Sequence, residues 1–358
     1  MEVLITVAII TSVSLVGFVA FSKYKGSQAI ELTMSELAAV VRDTQKRAVT
    51  QEDGKAWGVR FSNASSSYQV FSGSSYASGT VARTYYLGRN VFFGNPATST
   101  VDALFSAITG KLSETRVISL VNTKKDGVVG DIILTSRGAI TTRKDSGLIG
   151  YWHLDENTAT TTYDSSGFAN IGTVNNGAVW ETSSNCRAGN CLSFDGSNDY
   201  VRIPDSSSLN VTGNAFTVTA WVYRTAAANW QRIVGKYFWT GVHTGSWLLF
   251  FNDANQTLCQ FNTGSWSSAQ STATVSLNQW TFVACVYNGS NLVNYVNNAS
   301  TSVSKTGNII SSNYPVAFAV TTDGTNIQNG FTGRIDEVRI YNRALSDSEI
   351  SNLYNDLK

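Results

Sequence analysis

Three tryptophans in the second half of the chain could bind a ligand directly. Trp230, Trp239 and Trp266 lie in stretches rich in Ala, Thr, Gly and Ser, which predict loops. An exposed indole ring offers a large apolar surface, and sugar rings present apolar C–H faces that can stack on it. These three residues are therefore candidates for ligand binding. The alternative is that each one packs over the end of a β-domain.

The residues that could support catalysis are few. His153 and His243 are the only histidines, and neither has neighbours that resemble a metal site, so structural or solvated roles are expected. Asp336 and Glu337 are adjacent, so on a strand they would point to opposite faces. A glycoside hydrolase needs two carboxylates about 5–10 Å apart on one face. These patterns favour a binding protein over an enzyme.

Composition narrows the class of protein further. The 358 residues carry a formal net charge of +1, and only 14% of them are charged, whereas an average soluble domain has about 25%. Nucleic-acid binding requires a strongly basic surface, so no nucleic-acid partner is expected. The hydrophobic share of 42% argues against disorder, and the length suits about two domains.

The N-terminal segment is apolar except for one carboxylate. Glu2 is the only charged residue in 1–22, a segment about long enough to cross a bilayer as a helix. A carboxylate in such a segment is costly unless a cation meets it. Apolar residues then recur at spacings of three, four and seven, at Ile30, Met34, Leu37, Val41 and Ala48. This period predicts one long helix as the first region, 1–52, apolar at first and amphipathic later.

The string Glu2-Val3-Leu4-Ile5, followed by Val7-Ala8-Ile9-Ile10, resembles the start of type IV pilins and type II secretion pseudopilins. This resemblance implies that Glu2 neutralises the N-terminal amine of a neighbouring subunit in a filament. It also implies insertion in the inner membrane before assembly. The family's leader and processing site would precede Met1, so the chain is a trimmed mature form or an open reading frame started late. The alternative is a plain membrane anchor.

Residues 53–146 predict a small β-rich head. Segments 57–61 and 68–71 alternate around a polar turn, which predicts a hairpin. Further predicted strands are Arg83–Leu87, Val91–Phe93, Val117–Val121, Asp131–Thr135 and Ala139–Thr142. The strand WGVRF, the segment AITGKLS and the ending ILTSRGAI resemble the heads of minor pseudopilins. A generic small β-domain is the alternative, and Thr141–Ser146 is predicted to be a short, charged hinge.

Residues 147–358 predict a second, different domain. It holds eight of the nine tryptophans and all four cysteines, and its strands alternate with polar turns, which is typical of an all-β sandwich. The predicted elements are the strands Ala215–Arg224, Arg232–Tyr237, Trp247–Asn252, Trp280–Tyr287 and Asn291–Val296, and a helix at Ser346–Leu357.

The strings GYWHLDE (150–156), LSFDG (192–196) and GRIDEVRIYNRALS (333–346) resemble, in order, those of laminin-G-like, concanavalin-A-type lectin domains. The resemblance implies a jelly roll of two antiparallel sheets that binds carbohydrate or protein. Such domains often carry a structural calcium, for which Asp164 and Asp336 are the matching positions; Asn170 could add a further oxygen ligand. The alternative is an Asx turn at Asp164 and an ion pair of Asp336 with Arg339 or Arg334. No other cofactor is expected.

The four cysteines allow three disulfide connectivities. The simplest pairs Cys186 with Cys191, around a four-residue loop, and Cys259 with Cys285, on two strands that could be neighbours in one sheet. Disulfides indicate an oxidising compartment, which agrees with a cell-surface protein.

The sequence thus predicts an α+β pilin-like region, a long helix with a small antiparallel β head, followed by an all-β jelly-roll sandwich. The expected function is that of a structural subunit of an extracellular type IV pilus-like filament, polymerised through its N-terminal helices. Its lectin-like domain would adhere to a glycan or another cell-surface ligand. The alternatives are a minor tip pilin or pseudopilin acting as an adhesin, and a membrane-anchored carbohydrate-binding protein that does not polymerise.

Overall fold

The computed structural model describes residues 2–97, 100–122, 128–228 and 230–358, with side chains from Lys25 onward. The first element is helix α1 (Glu2–Val49), which confirms the predicted long helix. Its apolar stripe is buried at Leu37, Val41 and Ala48, as the periodicity predicts. Among the side chains from Lys25 on, no helix is both long and apolar enough to cross a bilayer. The Glu2 carboxylate and the side chains of 1–22 lie outside the described part, so their predicted role stays a prediction.

The head consists of two four-stranded antiparallel sheets, with strand orders β3-β2-β1-β5 and β4-β6-β7-β8. Its strands are β1 (Trp57–Ser62), β2 (Ser67–Ser72), β3 (Thr80–Tyr86), β4 (Val91–Asn95), β5 (Thr100–Phe105), β6 (Arg116–Asn122), β7 (Val129–Leu134) and β8 (Ile140–Asp145). The hairpin of β1 and β2 confirms the prediction. Strand β5 was not predicted, and Asp102 at its centre is of a type that is depleted in strands. Arg60 of β1 stabilises Asp102 through an ion pair of 2.6 Å.

The predicted hinge at Thr141–Ser146 is wrong, because most of it belongs to strand β8. This strand pairs with β7 along its whole length. Only Ser146 and Gly147 separate β8 from the first strand of the second domain, β9 (Leu148–Trp152). The head therefore continues directly into the second domain.

The second domain is a sandwich of two antiparallel sheets that confirms the predicted all-β class. Sheet A has the order β10-β11-β14-β23-β16-β17-β18-β19; sheet B has the order β12-β13-β26-β15-β20-β21-β22, with β9 also paired to β26. The strands are β10 (Thr161–Thr162), β11 (Gly172–Asn175), β12 (Val179–Glu181), β13 (Cys191–Asp195), β14 (Tyr200–Ile203), β15 (Phe216–Arg224), β16 (Arg232–Trp239), β17 (His243–Phe251), β18 (Gln256–Asn262), β19 (Trp266–Thr274), β20 (Trp280–Tyr287), β21 (Asn291–Val296), β22 (Ala299–Ser304), β23 (Val316–Phe318), β24 (Thr321–Thr322), β25 (Ile327–Gln328) and β26 (Thr332–Tyr341).

Helix α2 (Asp347–Leu357) follows the last strand, as predicted. Ser346 and Glu349 form a reciprocal capping box at its start, which satisfies backbone donors that a helix N-terminus otherwise leaves unpaired. Its apolar side chains Ile350, Leu353 and Leu357 are buried. The helix is thereby fixed against the domains rather than projecting from them.

The four cysteines are paired as predicted, but one bridge has a different placement. Cys186 is bonded to Cys191 across a separation of five residues. Cys259 of sheet A is bonded to Cys285 of sheet B, so this bridge joins the two sheets instead of neighbouring strands in one sheet. Both cysteines lie in the main apolar core between the sheets, which also contains Trp152.

The two outer faces of the sandwich differ in what covers them. The outer face of sheet B, called here the covered face, packs against helix α2 and against Val117, Val121 and Ile133 of the head. Alternate residues of the same head strands, such as Leu120 and Ile132, face helix α1 instead. The outer face of sheet A at β16–β19, called here the open face, carries a small separate apolar cluster.

Candidate functional site

The open face brings the three predicted tryptophans together. Trp230 precedes β16, Trp239 ends β16, and Trp266 begins β19. The prediction placed all three in loops, but Trp239 and Trp266 lie at strand ends. The β16–β17 hairpin pairs Trp239 directly with His243, so the indole and the imidazole lie side by side.

The rings of this face form two groups of contacts. Trp230 stacks on Phe250 with ring centroids 6.0 Å apart. Trp239 meets the ring of His243 edge-on at 4.8 Å. His243 in turn lies 5.4 Å from Trp266. Trp230 and Trp239 remain 45% and 41% exposed, a large apolar area that stays in contact with water.

These rings border a cavity of about 330 Å³. The cavity is lined by the rings of Trp230, Tyr237, Trp239, His243 and Phe250 and by three polar residues, Arg232, Gln260 and Asn329. The size falls in the range of small-molecule sites, and the mixture of apolar walls with a few polar groups is typical of them. Apolar walls would hold the faces of a sugar ring, while the polar groups would meet its hydroxyls.

The third tryptophan supports the cavity instead of lining it. Trp266 is partly buried and packs edge-on against Tyr237 with centroids 5.3 Å apart. The Tyr237 hydroxyl lies 2.9 Å from Nδ1 of His243. Burial raises the pKa of Tyr237, so it remains a neutral hydrogen-bonding group at neutral pH. Burial and the nearby charge of Arg232 lower the pKa of His243, which therefore also favours its neutral form.

Backbone contacts hold the exposed end of β16 in place. The Gln328 side chain accepts a hydrogen bond from the Trp239 N–H and donates one to the Trp239 carbonyl. The sequence did not indicate Gln328, Arg232, Tyr237 or the other polar lining residues. The only feature of the local sequence that could have indicated Tyr237 is its spacing from Trp239. The two residues are two positions apart, so a strand places them on the same face.

The covered face contains a buried network of charged and hydrogen-bonding side chains. At its centre, Glu337 accepts from the Tyr151 hydroxyl at 2.6 Å and lies 2.8 Å from Nδ1 of His153. Arg339 donates to the same carboxylate at 2.6 Å. Burial opposes ionisation of Glu337, but the charges of His153 and Arg339 outweigh it and hold its pKa at about 2. His153 is therefore structural, one of the roles expected for it.

The network continues into the head. Ser119 of β6 lies 2.9 Å from Nε2 of His153. Arg143 of β8 donates to Asp131 of β7 at 2.6 Å, and it also contacts Asp356 of helix α2. Burial raises the pKa of Asp131, whereas the guanidinium of Arg143 opposes that rise. Head, sandwich and C-terminal helix thus share one set of polar contacts.

The expectation that Asp336 and Glu337 point to opposite faces is wrong. Glu337 has a φ of 54°, and the pairing of β26 with β15 shifts register at this point, which is a β-bulge. The bulge breaks the alternation, so both carboxylates lie toward the covered face. Asp336 accepts hydrogen bonds from the backbone N–H groups of Arg187 and Ala188 at 2.8 and 3.0 Å. Both carboxylates are fully buried.

The residues predicted for calcium are held by protein hydrogen bonds. Asp164 accepts from the backbone of Tyr151, Ser166 and Asn170, which includes the Asx turn foreseen as the alternative. The Asn170 side-chain oxygen accepts from serine hydroxyls, and Asp336 binds a separate loop. Within 25–97, 100–122, 128–228 and 230–358, no group of three or more His, Cys, Asp or Glu could hold a metal ion. A calcium ion at these residues stays an untested prediction.

Comparison with known proteins agrees with the sandwich. Residues 195–351 match the family model described as the concanavalin A-like lectin/glucanases superfamily. The C-terminal domain is therefore a concanavalin-A-like, lectin-type β-sandwich. A comparison with curated protein sequences gives no match.

Solved structures of similar shape include domain 4 of AbnA, a GH43 extracellular arabinanase from Geobacillus stearothermophilus, in complex with arabinotriose. It has 21% identity and a TM-score of 0.46, with 58% of this chain and 98% of that one covered. The binding domain of Paraclostridial Mosquitocidal Protein 1 has 18% identity and a TM-score of 0.47, with 58% and 52% covered. The botulinum neurotoxin serotype D ligand-binding domain in complex with N-acetylneuraminic acid has 16% identity and a TM-score of 0.46, with 58% and 50% covered. The chain spans about half the length of these two toxin domains.

Proposed function

We propose that this protein binds glycans through the aromatic cavity of the open face and does not cleave them. The observation that carries the proposal is the convergence of two half-exposed indoles, Trp230 and Trp239, on one cavity with three polar lining residues. A sugar ring placed between them would bury its apolar C–H faces and leave its hydroxyls to the polar groups. A shallow site with few anchors gives Kd values on the order of μM to mM.

The head and helix α2 pack against the covered face, so the cavity on the opposite, open face stays accessible. Head strands, helix α2 and the sandwich bury a common apolar cluster. Asp336 and Glu337 are fully buried beneath the head, where a polysaccharide has no access to them. Binding without hydrolysis is therefore the expected activity.

Titration of the full chain with arabinotriose, xylotriose and cellotriose tests this proposal. Trp239→Ala and Trp230→Ala should each weaken binding about 10-fold or more, because a stacking anchor is removed. Tyr86→Ala is the matched control, since Tyr86 is an aromatic residue of the head that is 74% exposed. Equal affinity in all variants, or the absence of binding across a broad glycan array, would contradict the proposal. Release of reducing sugar would contradict the non-enzymatic part.

A filament role is a second candidate, favoured by the helix α1. This helix has 48 residues, hence a length of about 70 Å, and its C-terminal half packs against the head. In a filament subunit, the N-terminal half would pack against copies of itself while the lectin-type domain faces outward. Display of many copies would raise the avidity of a weak site. A minor tip adhesin and a non-polymerising anchored protein are the remaining alternatives.

The Glu2→Ala variant tests the filament role, with Glu36→Ala on the exposed side of the same helix as control. Imaging of surface filaments and identification of their most abundant chain is the measurement. Loss of incorporation in Glu2→Ala alone is expected, because the partner of a neighbouring N-terminal amine is removed. Wild-type filament levels in Glu2→Ala would defeat the filament proposal without affecting glycan binding.

A further inference from the structure

Arg232 lies in the wall of the open-face cavity and is only 7% exposed. Its guanidinium carbon lies 4.6 Å from the ring centroid of Phe250 and 5.7 Å from that of Tyr237. Its Nε atom is buried without a hydrogen-bond partner. Among the described residues, no carboxylate forms an ion pair with this side chain, and none lines the cavity.

Arg339 and Arg224, two other deeply buried arginines of the sandwich, each have side-chain hydrogen-bond partners, although each also keeps a buried N–H group without one. Arg339 has the Glu337 carboxylate at 2.6 Å. Arg224 donates to the side-chain oxygens of Gln231 and Asn255 at 3.0 and 3.1 Å. Arg232 has only ring contacts, which attract its charge but leave its N–H donors unused. Burial without a compensating carboxylate lowers the pKa of Arg232 to about 10, so the group still carries its charge at neutral pH.

A buried cation without an anion is unfavourable unless something else supplies the anion. The guanidinium has a planar fork of donors that matches a carboxylate, and such pairs are stronger than neutral hydrogen bonds. The aromatic walls on either side select a ligand that also has flat apolar faces. Sugars that carry a carboxylate combine both features.

Building on the glycan-binding function, we propose that the cavity is specific for carboxylate-bearing sugars, with the carboxylate paired to Arg232 and the ring stacked on Trp230 and Trp239. A uronic acid and a sialic acid share this chemistry. Arg232 is thus the specificity-determining residue, whereas the two tryptophans supply affinity for sugar rings in general.

The experiment compares acid and neutral members of two ligand pairs by titration of the full chain. One pair is trigalacturonate and its methyl ester; the other is sialyllactose and lactose. At least one acid should bind about 10-fold or more tightly than its neutral partner, and the pair that shows the preference identifies the source. The preference should weaken at high NaCl, because salt screens the ion pair but not the stacking.

Arg232→Gln should abolish the preference, so that the acid and its neutral partner bind this variant with equal affinity. The matched control is Arg334→Gln, which removes an arginine that lies over the ring of Tyr223 at 4.9 Å on the other sheet. Arg232→Lys keeps the charge without the planar fork and should keep part of the preference. This variant also tests the dependence on Arg232 if Arg232→Gln does not fold.

Two results would overturn the inference. One is equal, Trp239-dependent binding of acid and neutral sugars by the wild type, which would leave the glycan-binding function intact. The other is a preference for the acid that survives in a folded Arg232→Gln variant. If neither the acid nor the neutral sugars of these pairs bind, this inference fails, while the broad glycan array decides the glycan-binding function separately.

Discussion

The two outer faces of the sandwich deal with buried charge in opposite ways. On the covered face, Arg339 is sealed beneath the head and is paired with Glu337. On the open face, Arg232 is nearly as buried, but its neighbours are aromatic rings. A buried pair is compatible with a structural role, whereas a buried cation without an anion at the wall of a cavity indicates a ligand. The contrast separates the side that holds the domains together from the side that recognises something.

The largest expected effect compares these two arginines. Arg339→Met should lower the free energy of unfolding by about 3–5 kcal/mol, because it leaves the buried Glu337 carboxylate without its closest cation. Arg232→Met should change it by less than about 1 kcal/mol or stabilise the protein, because it removes an unpaired buried charge. Denaturant unfolding of the full chain measures both. Equal losses in the two variants would break the comparison.

A smaller effect is expected from the disulfide that joins the two sheets. Replacing both Cys259 and Cys285 with Ala opens a loop of 26 residues, which should cost about 3.5 kcal/mol in the chain-entropy description. The bond between Cys186 and Cys191 spans five residues and should cost about 2 kcal/mol. Mass spectrometry of unreduced peptides establishes which cysteines are paired. Thermal unfolding of the two variants shows which disulfide contributes more to stability. A larger loss from opening the short loop would show that local structure outweighs loop length.

A pH dependence of the stability is expected from two carboxyl groups near the covered face. Burial raises the pKa of Asp155 to about 6 and that of Glu156 to about 7. The folded protein thus binds more protons than the unfolded chain between about pH 4 and pH 7. The free energy of unfolding should therefore fall as the pH rises through this window, by at most about 1.4 kcal/mol per pH unit for each group. Below that window Glu337, with its pKa of about 2, acts in the opposite sense, and its contribution is lost as the pH falls.

Glu156→Gln isolates this dependence from the rest of the network. The variant should match the wild type near pH 4.5 and exceed its stability at pH 7.5, with a shallower slope between. Glu36→Gln, on the exposed side of helix α1, is the control and should leave the slope unchanged. A wild-type slope in Glu156→Gln would exclude Glu156 as its source.

Features that depend on local pattern could be predicted from the sequence. The 3.6-residue period at Leu37, Val41 and Ala48 sufficed to predict helix α1, and alternation sufficed for most strands of the head and for five strands of the sandwich. The start of helix α2 follows from the capping pair of Ser346 and Glu349, three residues apart. The cysteine pairs were also correct.

Contacts between distant elements, and the faces that their side chains share, could not be predicted from local pattern. The bulge at Glu337 turned two adjacent carboxylates toward the same side, although alternation predicts the opposite. Pairing with β7 makes most of the expected hinge part of strand β8. The sheet topology also places Cys259 and Cys285 in different sheets. The site on the open face depends on the same long-range register, because Trp230, Arg232 and Phe250 become neighbours only when β16 and β17 pair. Local periodicity carries no information about such pairing, which is fixed by packing across the whole molecule.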